Sequence, residues 1–104
     1  MDLGKRVENA GLSKEMAGQT VTVAGWLQDT RNLGGIAFLL VRDRSGVVQI
    51  TCLKKKLGEE VFGKLTAVPR ESVVAITGEL KPNEQVSTGF EILPQAFQVI
   101  AEAA

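Results

Sequence analysis

The 104-residue sequence contains no histidine and only one cysteine, Cys52. Without histidine, the commonest general base and the commonest transition-metal ligand are both missing. A single cysteine excludes an intrachain disulfide and a cysteine-rich zinc site. Neither a metal nor a cofactor is therefore expected, and Cys52, within an apparent strand, reads as packing. Asp, Glu, Ser and Lys are present, but no spacing assembles them into a nucleophile and its base, so no catalytic residue is assigned. No apolar run approaches the roughly 20 residues of a membrane span, and the first residues lack the apolar centre of a signal peptide. The chain reads as cytoplasmic.

The sequence also lacks an excess of either charge, with 12 basic and 12 acidic side chains. An indiscriminate binder of phosphate chains is usually strongly basic, and this chain is not. The charges are nevertheless segregated. Residues 1–30 carry three basic and four acidic side chains, 31–56 carry six and one, and 57–104 carry three and seven. Positive charge concentrated on one surface and cancelled elsewhere suits a protein that holds nucleic acid at chosen positions.

The length fits one compact domain over 1–104, with residues 1–14 read as a loose N-terminal arm. From Gln19 to Asp29, Val21, Val23, Gly25 and Leu27 alternate with Thr20, Thr22, Ala24 and Trp26, a period of two that predicts a strand. Turn chemistry at Asn32-Leu33-Gly34-Gly35 leads into a second strand, Ile36–Val41. A hairpin turn over Arg42–Gly46 then leads into a third, Val47–Leu53. After Lys54-Lys55-Lys56, the spacing of Val61, Phe62, Leu65 and Val68 predicts a helix over 57–68. Glu59 and Glu60 suit its first turn and Pro69 stops it. Glu71–Leu80 reads as a fourth strand and Lys81–Glu84 as a loop. An interrupted fifth strand follows, Phe90–Leu93 and Ala96–Ala101.

Three strands, one helix and two strands lack the βαβ alternation of a parallel sheet. A ferredoxin-like fold needs a helix where Asn32–Gly35 leaves no room, and an SH3-like barrel does not normally carry a full helix after its third strand. The remaining architecture is all-β, a five-stranded Greek-key OB-fold barrel with one helix between strands 3 and 4, which closes the edges that a small open sheet would expose.

Such barrels bind nucleic acid on the outer face of strands 2 and 3 and on adjoining loops. Phe38 in the second strand offers a face on which a base can stack, with core packing as the competing reading. Gln49 in the third strand has an amide able to donate and accept at a base edge. Arg31 offers a guanidinium for phosphate or base.

These residues fall within a recognisable set of motifs: Gly25-Trp26, the stretch from Arg31 to Phe38 (R-x-L-G-x-I-x-F), Arg42-Asp43 to Gln49, and Gly89-Phe90-Glu91-Ile92-Leu93-Pro94. Over about 19–100 the chain resembles the N-terminal anticodon-binding domain of class II aspartyl-tRNA synthetases, especially the archaeal type. Asparaginyl and lysyl relatives share parts of the pattern. The resemblance implies that Phe38 stacks on the central anticodon base, that Arg31 and Gln49 hydrogen-bond to anticodon bases, and that Glu91 contacts the first one. It also directs attention to Gln28 and the loop 86–88, which bear on discrimination of tRNA(Asp) from tRNA(Asn). As surface guanidiniums, either Arg42 or Arg44 can in addition serve as a phosphate contact. Trp26 reads as structural, and Arg42, Asp43 and Arg44 as fixing the hairpin turn.

The implied partner is the unpaired anticodon loop of tRNA(Asp), or also tRNA(Asn), with no membrane. A class II catalytic domain and a homodimer would belong to the parent enzyme, since this chain carries no class II motifs. The alternatives are a freestanding OB-fold protein binding single-stranded DNA or RNA with little sequence preference, and a barrel that pairs a strand edge with a protein.

Overall fold

The computed structural model describes residues 8–103. Its five strands are β1 (Thr20–Asn32), β2 (Ile36–Asp43), β3 (Gly46–Leu53), β4 (Val73–Pro82) and β5 (Phe90–Ala101). They close into a barrel in the order β1-β2-β3-β5-β4, antiparallel at every seam except β3–β5. The expected OB-fold barrel is thus the observed architecture.

Alternation places Val21, Val23 and Leu27 of β1 inside, with Ala37, Leu39 and Val41 of β2 and Val48, Ile50 and Cys52 of β3. Val74, Ile76 and Leu80 of β4 and Phe90 and Ile92 of β5 complete the wall. Each fully buried Leu, Ile or Val contributes about 1.5–3 kcal/mol relative to exposure. The single long strand β1 serves two partners, pairing with β4 from Thr20 to Trp26 and with β2 from Trp26 to Asn32. At the corner, a Cβ on Gly25 would lie 2.2 Å from the Arg42 carbonyl oxygen, so the close approach of β1 to β2 requires glycine there.

The helical segment between β3 and β4 begins earlier than the spacing predicts and has two parts, α1 (Lys54–Leu57) and α2 (Glu59–Thr66). Gly58, at φ +86°, separates them, a conformation that L side chains rarely adopt. Phe62 and Leu65 of α2 are buried in the barrel core.

The interruption expected in the fifth strand is instead a bulge within a continuous β5. Thr77 pairs with Ala96 and Gly78 with Pro94, leaving Gln95 as the extra residue. The bulge shifts the phase by one, so Phe90 and Ile92 point inward before it and Phe97 and Val99 pack against the core after it. Lys81 and Pro82, expected in a loop, extend β4.

The expected loose arm needs correction over 8–14; residues 1–7 lie outside the described residues. Residues 9–11 and 14–16 form two 3-10 turns. The Asn9 side chain donates to the carbonyls of Val41 and Gly46, both at 3.0 Å, and its backbone N–H donates to Asp43 Oδ2 at 2.8 Å. Leu12 is buried in the core. These bonds reach acceptors more than thirty positions away, which no local pattern encodes.

Candidate nucleic-acid interface

A second bulge, in β1, builds the outer face. Leu27 pairs with Val41 and Asp29 with Leu40, leaving Gln28 unpaired. Had alternation continued unbroken from Leu27, Asp29 and Arg31 would point into the core; the extra residue turns both outward. The turn before β4 holds the bulge. Leu27 donates to the Ser72 carbonyl and accepts from the Glu71 N–H, both at 2.8 Å, and Arg70 Nε donates to the Gln28 carbonyl at 3.2 Å.

Outward-facing residues therefore stand in rows across three strands. One row is Asp29–Leu40–Gln49 and the next is Arg31–Phe38–Thr51. Inward neighbours Ala37, Leu39, Val48 and Ile50 are buried, which sets Phe38 on the outside, half-buried rather than part of the core. Gln49 Nε2 donates to Thr51 Oγ1 at 3.2 Å, leaving the amide carbonyl and a second N–H for a ligand.

The loop from β4 to β5 forms the opposite wall. Asn83 organises it, accepting at Oδ1 from the Gln85 N–H (3.0 Å) while its own backbone N–H donates to the Gly89 carbonyl (2.9 Å). The Asn83 amide also donates to Glu91 Oε2. In the parallel β3–β5 seam Ile50 lies beside Ile92, which brings Gln49 and Glu91 alongside each other. The result is a cleft of about 400 Å³ with Arg31, Phe38 and Gln49 on the sheet and Asn83, Gln85 and Val86 on the loop.

Three of the six expected residues thus share one cleft, and Glu91 joins them through Asn83. Gln28 and Arg44 do not line it. Gln28 accepts from Arg42 Nε beside the bulge, and Arg44, at the far hairpin tip, lies 3.7 Å from Glu8. Of the three residues expected to fix that hairpin, only Asp43 does so, accepting from Ser45 N (2.7 Å), Ser45 Oγ (2.6 Å) and Gly46 N (3.1 Å). Burial alone would raise the Asp43 pKa; hydrogen bonds from Ser45, Asn9 and Gly46 hold it below the ordinary carboxylate value. Trp26, expected beside the barrel as a structural residue, is 36% exposed, opposite Arg42 and Val73.

Sequence reasoning missed Asp29, Leu40, Asn83 and Gln85 as cleft residues. Leu40 was within reach, because it lies two positions after Phe38 on the same face. Asp29 was not, because the bulge reverses its side.

No cluster of three or more metal-ligating side chains exists among the described residues. The cleft offers an aromatic face, a cation beside it and an amide able to donate and accept, and the Glu91 carboxylate, held by Asn83, stands next to it. That set can stack one base and hydrogen-bond to base edges around it.

A closed barrel presenting these groups on β1–β3 is an OB-fold of the kind that binds nucleic acid. The family model of tRNA anticodon type, described as an OB-fold nucleic acid binding domain, matches residues 21–100, and the chain belongs to that family. An aspartate–tRNA(Asp/Asn) ligase of Archaeoglobus fulgidus is 45% identical over 98 residues, covering 94% of this chain and 23% of the ligase. The chain therefore spans less than a quarter of that relative's length, and what it matches is a binding domain rather than a catalytic one. Among solved structures, the asparaginyl-tRNA synthetase of Pyrococcus horikoshii complexed with asparaginyl-adenylate superimposes with a TM-score of 0.88 at 32% identity, over 95% of this chain and 23% of that one. An OBody bound to hen egg-white lysozyme has a TM-score of 0.89 at 27% identity, with 99% of both chains covered.

Proposed function

We propose that this chain is the anticodon-recognition module of an aspartate–tRNA ligase and binds the unpaired anticodon loop without itself performing chemistry. The convergence of Arg31, Phe38 and Gln49 in one cleft carries this reading. Phe38 stacks on the central anticodon base. Gln49 and Arg31 hydrogen-bond to base edges, the former through the amide groups that Thr51 leaves unengaged. Glu91, oriented by Asn83, accepts from the first anticodon base, which suits a guanine because its Watson–Crick edge carries N–H donors. Gln28 and Arg44 act outside this cleft, Gln28 by holding Arg42 beside the bulge and Arg44 as a phosphate contact at the hairpin tip. Within a longer ligase of the cytoplasm, the module selects tRNA(Asp), or tRNA(Asp) and tRNA(Asn), for a separate class II catalytic domain in a homodimer.

The similarity to ligases favours this reading over a freestanding binder with little sequence preference. The test is a titration with an RNA stem-loop bearing the GUC anticodon and with scrambled loops on the same stem, at two salt concentrations. Tighter binding of the GUC loop at both is expected; equal affinity for every loop contradicts the proposal.

A further inference from the structure

The rows of outward side chains do not stop at the cleft. Two residues beyond Phe38 and Thr51, at about 6.7 Å along the strands, the next pair on the same face is Ile36 opposite Leu53. Both are only half-buried, and Leu33, at the tip of the adjoining β1–β2 turn, is 55% exposed. The Leu33 N–H donates to the Ile36 carbonyl at 2.9 Å, and the Lys54 N–H donates to the Gly35 carbonyl at 3.1 Å. These bonds fix the turn against the start of α1. The strip between them is a groove of about 570 Å³ whose floor is Leu53 and Gly35 and whose rim is Lys54, Lys55, Lys56 and Glu59.

The three lysines are not equivalent. Lys54 Nζ lies 3.6 Å from Glu59 Oε1 and 5.9 Å from the centre of the Phe62 ring, so its charge is already engaged. Lys55 and Lys56 are exposed, and no ion pair among the described residues involves either. The groove thus joins an apolar floor to two uncompensated ammonium groups. It continues the cleft at a step comparable to one nucleotide of an extended strand.

We infer that this groove is a second nucleotide subsite, taking the nucleotide next to the anticodon triplet with its sugar and base over Leu53 and its phosphates against Lys55 and Lys56. The inference rests on the reading that the cleft binds an RNA loop. Continuity with the cleft and opposite charge select an RNA strand as the occupant. Gly35 is the control point. A Cβ there meets no heavy atom within 4 Å, and its φ is not among the positive ones, so a side chain can enter the groove without disturbing the fold.

The experiment uses the GUC stem-loop with wild type, Gly35→Glu, Gly35→Lys and the double variant Lys55→Gln/Lys56→Gln, with thermal melts to verify folding. Gly35→Glu is expected to weaken binding about tenfold or more, as opposed charge and bulk fill the groove, while Gly35→Lys weakens it far less. The double variant is expected to lower the slope of log K against log salt by about 1.4, from two phosphates at roughly 0.7 each. An unchanged slope, or equal losses from Gly35→Glu and Gly35→Lys, overturns the subsite. If the subsite variants have no effect while wild type still prefers GUC and loses affinity on Phe38→Ala, only the subsite falls. If wild type binds all loops equally and the slope still drops, the anticodon reading falls and the groove stands as a phosphate site. No binding by wild type removes both.

Discussion

Arg31 and Phe38 face each other across the β1–β2 ladder, and both side chains stand on the outer surface of the barrel. One is a cation, the other a half-buried ring, and neither contributes to the core behind them, which Ala37 and Leu39 fill. A base lying on the ring is therefore within reach of a guanidinium from the neighbouring strand and of the Gln49 amide from the strand beyond.

Because Phe38 faces outward, stability and binding separate at this position. Phe38→Ala is expected to cost about 1–3 kcal/mol of stem-loop affinity, the range for stacking of a single base. Its melting temperature should stay close to wild type. Fluorescence anisotropy with thermal melts checks both; unfolding of the variant would mean that the ring is core.

Gly25 behaves in the opposite way. An added methyl meets the Arg42 carbonyl at the corner where β1 exchanges partners. Gly25→Ala is expected to destabilise the barrel by about 1–3 kcal/mol, as overpacking does. Urea unfolding should give a lower midpoint with an unchanged slope.

The Asp43 carboxylate ties the hairpin tip to Asn9, and its pKa is lower in the fold than in the unfolded chain. The stabilisation is present above the unfolded value of about 3.9 and is lost as pH falls through the folded one. Asp43→Asn should lower stability by about 1–2 kcal/mol at pH 7 through weakened hydrogen bonds. It should also flatten the fall in stability below pH 4, measured by urea titrations at a series of pH values.

Cys52 is fully buried, and burial pushes its thiol pKa up to about 12. The native protein should resist a thiol-specific reagent at pH 8 and react once urea unfolds it. Rapid stoichiometric labelling without denaturant would contradict the inward assignment of β3.

Much of this architecture was legible because it is local. The alternation of Val21, Val23 and Leu27, the turn residues 32–35 and the strand–helix–strand order require only neighbours in sequence. The bulges at Gln28 and Gln95 were not legible. Both are extra residues only in relation to what pairs across the ladder, and each reverses the side on which the residues that follow it point. Arg31 therefore stands on the outer face, although simple alternation puts it inside. Asn83 escaped notice because its importance lies in bonds to Gln85, Gly89 and Glu91 that exist only once the loop is folded.

If the cleft over β1–β3 and the β4–β5 loop is the RNA-binding surface, backbone amide chemical-shift mapping by NMR during titration with the GUC stem-loop will locate the contact there. The largest changes are expected at 29–31, 38–40, 49–51 and 83–91, with little change along α2 and the second half of β5. Changes concentrated on α2 and β5 instead, with the cleft silent, would contradict that assignment.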